Sequence, residues 1–406
     1  HRRSGEIVEA VDAAARQLVA RDGRFHEELV DVLPELTGYS REMIALGLER
    51  MGENWTAAAL REAIAGELGS LDVLDEFQPR PVGGRHRAFG PSLTVHVFSG
   101  NIPGVSVSSL IRALCVKSAS FGKTAAGEPY LAVCFARALA EVDAGLASCI
   151  AVAYWPGGSE DLERVAFSEA EAVIAYGGDE AIGRIGALVP PHVRFLPYPN
   201  RVGAALVSQS ALTEGGAGAL ARAVATDVVT FDQQGCVAPH TLYVERGGVV
   251  SPGDFARLLA GALDEMSRTL PRGALTPGES SLIHQLRAQA EIRGAEVLAS
   301  ERGTEWTVIV EERKEFEPSP LNRVIHVHVV DDFSQAVDTL RRVGRHLQTV
   351  AIAAEREEVT ELAGQLGAIG ATRLVPVGEA AWPSPTWHHD GRFQFMDLLR
   401  FVDLEL

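Results

Sequence analysis

The sequence predicts an α/β protein of two parallel-sheet domains behind a helical N-terminal region, and three observations predict it. At 406 residues the chain exceeds the size at which one hydrophobic core keeps growing, so two packed domains are expected. From about residue 91, short β-rich runs alternate with Ala-rich helical segments, the pattern of a parallel sheet covered by helices. Upstream, residues 7–77 carry Ala, Leu and Glu at helical spacing, as in EIVEAVDAAARQLVA and TAAALREAIAGELGSLDVL.

The first α/β series consists of LTVHVFSG (93–100), CIAVAYWPG (149–157), AVIAYGG (172–178) and VRFLPY (193–198). Helices are expected between them at 105–115, 127–145, 158–168 and 179–187. The arrangement is that of a dinucleotide-binding half, yet no GxGxxG follows the first strand. Gly-Gly-Val near 247–250 reads as a turn within a second series of strands, HTLYVERG, WTVIVEE, VIHVHVVDD, TVAIAAE and TRLVPVGE. The stretch AWPSPTWHHDGRFQF, rich in Pro, Trp and His, reads as an ordered loop because flexible linkers are Gly-, Ser- or charge-rich.

Composition excludes several partners. A formal charge of −17 argues against nucleic acid or an anionic membrane surface, both of which demand clustered cations. No run of about 18 apolar residues is present to span a bilayer. The first residues, beginning at His1, show no apolar signal stretch, so a soluble, cytoplasmic enzyme is expected. Only three residues are lysine, Lys117, Lys123 and Lys314, and two of these stand six positions apart. The four cysteines, Cys115, Cys134, Cys149 and Cys236, lack the spacings of zinc sites or disulfide frameworks, so free thiols and no metal are expected.

Cys115, Cys134 and Cys149 sit in ALCV, AVCF and SCIA, among small apolar neighbours that favour buried, inert thiols. Cys236 differs. It lies in FDQQGCVAPH, after a helical segment and before a strand, where a thiol can be exposed and its backbone N–H can face a substrate oxygen. This context alone admits both a nucleophile and an inert loop cysteine. Asn101, in FSGNIPG at the end of the first α/β strand, is either a turn residue or a neutral hydrogen-bond donor at a ligand site. Lys117 and Lys123 bracket KSASFGK, read as a polar loop, where both are either solvated or able to reach ribose or phosphate oxygens. Gly177 and Gly178 stand at a strand end before a helix, a place that favours phosphate. His240, His388 and His389 either assist thiol ionisation, proton delivery and the substrate entrance, or simply pack.

Taken in order, these segments resemble the aldehyde dehydrogenase superfamily, and within it the LuxC-like fatty acyl-CoA reductases. SGNIPG looks like P-W-N-F-P, ALCVKSAS like V-V-K-P-S-E, AYGGDEAIGR like F-T-G-S-x-x-V-G-R, and DQQGCVAP like the N-x-G-Q-x-C nucleophile loop. FDQQGCVAPH and the terminal WHHDGRF to LLR pattern point to the LuxC-like branch. The resemblance implies an aldehyde-dehydrogenase-like fold that binds its dinucleotide without GxGxxG. Its expected divisions are a helical region at 1–90, a Rossmann-like NADP-binding domain at 91–235 rejoined by 372–406, and a catalytic domain at 236–371.

The resemblance further implies Cys236 as nucleophile, Asn101 as oxyanion donor with the Cys236 N–H, Lys117 at the adenosine ribose, and Gly177 and Gly178 beside the pyrophosphate. Many NAD-using relatives carry Glu where this chain has Ser120. A carboxylate there repels a 2′-phosphate, so Ser120 with Lys123 nearby favours NADPH over NADH. Hydrolytic relatives carry a water-activating Glu, whereas YPNRVGAAL holds no carboxylate, which favours thioester chemistry. A carboxylate touching the nicotinamide ribose falls at Glu315 or Glu317 in KEFEPSP, a stretch that also reads as a solvated acidic loop. The implied substrate is an acyl-CoA or carrier-protein thioester, reduced to an aldehyde, with an acyl-synthetase as further partner and a homo-oligomer as the assembly. The rival readings are an aldehyde dehydrogenase running toward acid or acyl-CoA, and a non-catalytic nucleotide-binding scaffold or thiol sensor.

Overall fold

Helical spacing at the N terminus becomes four helices, Ser4–Val19, Arg24–Thr37, Arg41–Gly52 and Ala57–Leu68, in a computed structural model describing residues 2–312 and 315–405. Lys314 lies outside the described residues. The first helix shows why they form: Ile7, Val8, Val11, Ala14, Ala15 and Leu18 recur at helical intervals and are all buried. Burying each of the larger aliphatic side chains contributes about 1.5–3 kcal/mol.

The chain divides into two units, one of 1–37, 44–200 and 384–406, the other of 38–43 and 201–383. In the first unit, β1 (Gln78–Pro79) and β2 (Arg85–Phe89) form a small antiparallel sheet with the C-terminal strand Arg400–Leu404. Its main sheet holds β3 (Leu93–Val97), β4 (Ala119–Thr124), β5 (Ile150–Tyr154), β6 (Ala172–Tyr176) and β7 (Arg194–Tyr198). All are parallel, in the order β5-β4-β3-β6-β7. Strand order reverses between β3 and β6, and in such sheets ligands bind outside the carboxyl ends of the strands at that switch point. Strand β4 occupies most of the stretch read above as a polar loop. Its sequence ASFGKT lacks a strong strand signal, and pairing on both sides imposes the conformation.

The second unit carries β8 (Val202–Val207), β9 (Pro239–Glu245), β10 (Glu296–Ala299), β11 (Thr307–Glu311), β12 (Val324–Val330), β13 (Leu347–Ala353) and β14 (Arg373–Pro376). They are ordered β10-β11-β12-β9-β8-β13-β14, and only β10 runs antiparallel to its neighbour. Every residue of β9 and β12 is buried, as expected for central strands covered on both faces. The boundary expected at 236 falls inside this unit, because β8 hydrogen-bonds to β9 and β13 and draws the segment from residue 201 into the same sheet. At its far end the unit runs to 383 where 371 was expected, since β14 pairs with β13. Among the described residues no helix is long and apolar enough to cross a membrane.

Candidate active site

The segment before Cys236 is held in an unusual backbone. Phe231, Asp232 and Gln233 take φ of 48°, 49° and 64°, and Leu321, Asn322 and Arg323 take 65°, 56° and 64°. Left-handed backbone costs non-glycine residues of order 1–3 kcal/mol each and persists only where the surroundings over-determine it. Here the two runs lock onto one another. Arg323 Nε donates to Asp232 Oδ1 at 2.7 Å in a fully buried ion pair, and the Asn322 N–H donates to the Asp232 carbonyl at 2.9 Å. Asp232 Oδ2 accepts from the Gly273 N–H at 3.0 Å, while Arg323 Nη1 donates to the Leu270 carbonyl at 2.9 Å. Gln233 Nε2 donates to the Pro239 carbonyl at 2.8 Å and Gln234 Nε2 to Asn322 Oδ1 at 3.2 Å.

Cys236 follows this clamp, half-buried, in a tight turn closed by the Ala238 N–H to the Gly235 carbonyl at 3.0 Å. The turn stands at the amino end of β9 and presses on β8. A Cβ on Gly203 would lie 2.6 Å from the Ala238 carbonyl oxygen and 2.8 Å from that of Val237, so only glycine lets the strand pass. Strand β8 is VGAALV and carries no carboxylate of its own.

The Arg373 guanidinium stands in electrostatic range of the Cys236 sulfur. Arg373, opening β14, donates Nη1 to the Ala380 carbonyl at 2.6 Å and Nη2 to that of Glu379 at 2.8 Å. Burial pulls its guanidinium down to about 10, and the negative charges of Asp227, Cys236 and Glu379 oppose that fall. Asp227 accepts from the N–H groups of Gly378 and Ala380 at 2.7 and 2.9 Å, and burial pushes its carboxyl up to about 7. The remaining thiols differ from Cys236. Burial lifts Cys115 and Cys134 to about 12. Cys149, expected to be buried, is exposed, because it precedes β5 at the edge of its sheet.

His240 is buried and accepts the Ser319 N–H on Nδ1 at 3.2 Å, beside Phe316. Burial, reinforced by His326, drops it to about 4, so it is a neutral, packed imidazole. Glu317 lies 3.6 Å from Arg293, and Glu315 is exposed on the same loop.

In the first unit, Asn101 is exposed in the loop after β3, and Gly177 and Gly178 follow β6, so the three flank the switch point. Gly104, at φ 97°, closes the Asn101 loop against Met51, whose sulfur would lie 2.6 Å from any Cβ there. The helix after Gly178 opens with Asp179 and Glu180, which compete with phosphate for its N-terminal field.

Two lysine-loop expectations are corrected. Lys117 sits at the amino end of β4 and is ion-paired with Asp75, which puts it at the wrong edge of the sheet for a ligand at the carboxyl ends. Ser120 is buried within β4, 3.2 Å from His96 Nε2, so it lines no cofactor site. Lys123 does stand near the carboxyl end of β4, where burial lowers its pKa against the pull of Glu163. At the exit of β5, Trp155 is buried with an Nε1 that lacks a hydrogen-bond partner among the described residues. In the C-terminal segment, His389 stacks on Tyr198 and Trp387 at 4.5 and 4.6 Å, and exposed His388 meets Phe393 edge-on at 5.0 Å.

A switch-point sheet and a cysteine turn ahead of the central strand of a second α/β unit define the aldehyde dehydrogenase fold. A benzaldehyde dehydrogenase from Corynebacterium glutamicum superposes with a TM-score of 0.73 at 15% identity, covering 100% of this chain and 85% of the other. An aldehyde dehydrogenase C variant from Pseudomonas syringae, solved with NAD+ and octanal, gives 0.75 at 13% identity, covering 100% and 85%. Residues 2–401 match the acyl-CoA reductase (LuxC) family, and the chain belongs to it. The long-chain acyl-protein thioester reductase of Aliivibrio fischeri is 28% identical over 378 residues, 91% of this chain and 75% of the relative.

Proposed function

We propose that the chain reduces an acyl thioester to an aldehyde through an acyl-Cys236 intermediate, with NADPH as reductant. The observation that carries the reading is the Cys236 turn, pinned by the Asp232–Arg323 pair and laid against a strand without a carboxylate. The Cys236 sulfur bonds to the thioester carbonyl carbon, the bond to the donor thiol breaks, and that thiol departs with a proton. Asn101 and the Cys236 backbone N–H are the proposed donors to the oxyanion, and Arg373 favours the thiolate. With no carboxylate on β8 to activate water, the acyl-enzyme persists.

A nicotinamide, when bound, supplies the hydride that with one proton converts the acyl group to aldehyde and restores the thiol. Its site fits the residues present: the crevice at Asn101, Gly177 and Gly178, the Lys123 ammonium, and the unsatisfied Trp155 Nε1. NADPH is preferred over NADH because Thr124, Ala125 and Ala126 follow Lys123 without a carboxylate. Glu128, the nearest acid along the chain, is turned to the N–H groups of Tyr130 and Leu131 at 2.8 and 2.7 Å. The name of the Aliivibrio relative supports a long, protein-bound acyl chain as donor, alongside acyl-CoA. Delivery by a synthetase, homo-oligomeric assembly, and a carboxylate of Glu315 or Glu317 at the nicotinamide ribose belong to the same reading.

Incubation with long-chain acyl-CoA or acyl-carrier protein, without cofactor, is expected to add one acyl mass to Cys236, and NADPH then to release aldehyde. Cys236→Ala should form neither. Aldehyde formation by that variant at the wild-type rate would falsify the mechanism, and a higher kcat/KM for NADH would remove the cofactor preference.

A further inference from the structure

Along strands β9, β11 and β12 the sheet of the second unit holds a polar cluster in its interior. Glu311 on β11 is in register with His328 on β12, and Tyr243 on β9 is in register with His328 on the other side. One step along, Thr241 is in register with His326. Paired residues and residues two apart share a face, so Thr241, Tyr243, His326, His328 and Glu311 form two cross-strand rows on one side of the sheet. All five are buried. Each of Glu311, His326 and His328 offers a ligand atom within 4.8 Å of the other two, and the imidazoles lie parallel with centroids 6.0 Å apart.

Glu311 Oε1 accepts from Arg293 Nη2 at 2.9 Å, while its Oε2, 4.0 Å from His326 Nδ1, has no hydrogen-bond partner among the described residues. The Tyr243 hydroxyl and Thr241 Oγ1 lack partners in the same sense. A buried carboxylate oxygen without a partner is costly, and a cation is the ligand that compensates it.

We propose that Glu311, His326 and His328 bind one divalent transition-metal ion of the zinc class, as a site separate from Cys236. Two imidazoles and a carboxylate suit such an ion. Tetrahedral ligands at about 2.0–2.1 Å from zinc stand roughly 3.3 Å apart, so side-chain rotations moving each atom by about 0.8 Å close the site. Arg293 orients the carboxylate from outside, as partners of metal-bound carboxylates do. The ion ties β11 to β12, the strand that Arg323 immediately precedes, so it stiffens the support of the nucleophile turn.

The test uses tag-free full-length protein from zinc-supplemented cells, passed over a chelating resin. Elemental analysis should find about one zinc per chain, and X-ray absorption at the zinc edge should show two imidazoles with oxygen ligands. Glu311→Gln and His328→Asn should each lower zinc content at least tenfold. Should these variants fail to fold, the wild-type absorption spectrum decides. Substoichiometric zinc after refolding with excess Zn2+, a spectrum without imidazole, or full occupancy in folded variants overturns the site.

Discussion

Replacing Arg323 by Met keeps much of the volume and removes the guanidinium that satisfies Asp232. Three bonds vanish: Nε to Asp232 Oδ1 at 2.7 Å, and Nη1 to the Leu270 carbonyl at 2.9 Å and to Ser267 Oγ at 3.4 Å. Asp232 is left buried with the Gly273 N–H as its remaining side-chain partner here. Breaking a buried pair from one side costs about 3–5 kcal/mol, because an uncompensated charge stays behind. For a unit of this size that corresponds to a fall in Tm of about 6–20 °C. The loss should also be local, since this pair holds the left-handed run at 231–233 against its own strain. Calorimetry gives the first quantity, and the alkylation rate of Cys236 by iodoacetamide the second, which should change by an order of magnitude or more. Asp232→Leu combined with Arg323→Met should be less destabilised than the two single effects summed. A Tm within about 2 °C of wild type, with unchanged alkylation, would refute the idea that this pair sets the turn.

Three further outcomes are expected. Asn101→Ala should slow acylation about 10²–10³-fold, the usual cost of one oxyanion donor, while leaving alkylation of Cys236 unchanged; full acylation activity would exclude it as a donor. Lys123→Ala should raise the KM for NADPH, whereas Lys117→Ala should alter only stability, by at most about 1 kcal/mol, because its partner is Asp75; the reverse pattern would restore Lys117 to the cofactor. Asp227 has a folded-state pKa raised to about 7 by burial, so its contribution to stability is fully present below about pH 4 and is lost as pH rises to 7. The span is of order 4 kcal/mol, and Asp227→Asn should flatten the Tm profile across that window; parallel profiles for variant and wild type would show that the carboxyl does not titrate there.

Periodicity made the strands with strong β-branched runs legible, such as β9 and β12, because their burial on both faces writes itself into composition. It could not reveal β4, whose ASFGKT is a strand only because β3 and β5 flank it, and this omission is why the ribose contact was expected at Lys117, which precedes the strand. A turn at Cys236, though not the role of its thiol, was legible for a local reason: a glycine before Cys236 and a proline after it mark a turn whatever surrounds them. Its support was not. Asp232 lies four residues from Cys236, but its partner Arg323 is 91 positions away, and nothing in either local sequence announces a buried ion pair. The same holds for Glu311 with His326 and His328, which meet only through the register of β11 on β12. A turn is readable from its own residues, whereas the groups that hold it become neighbours only when strand order brings them together. The Arg323 experiment therefore tests what sequence reading leaves out: whether the reactivity of Cys236 is set by its own loop or by a clamp built at the start of the neighbouring strand β12.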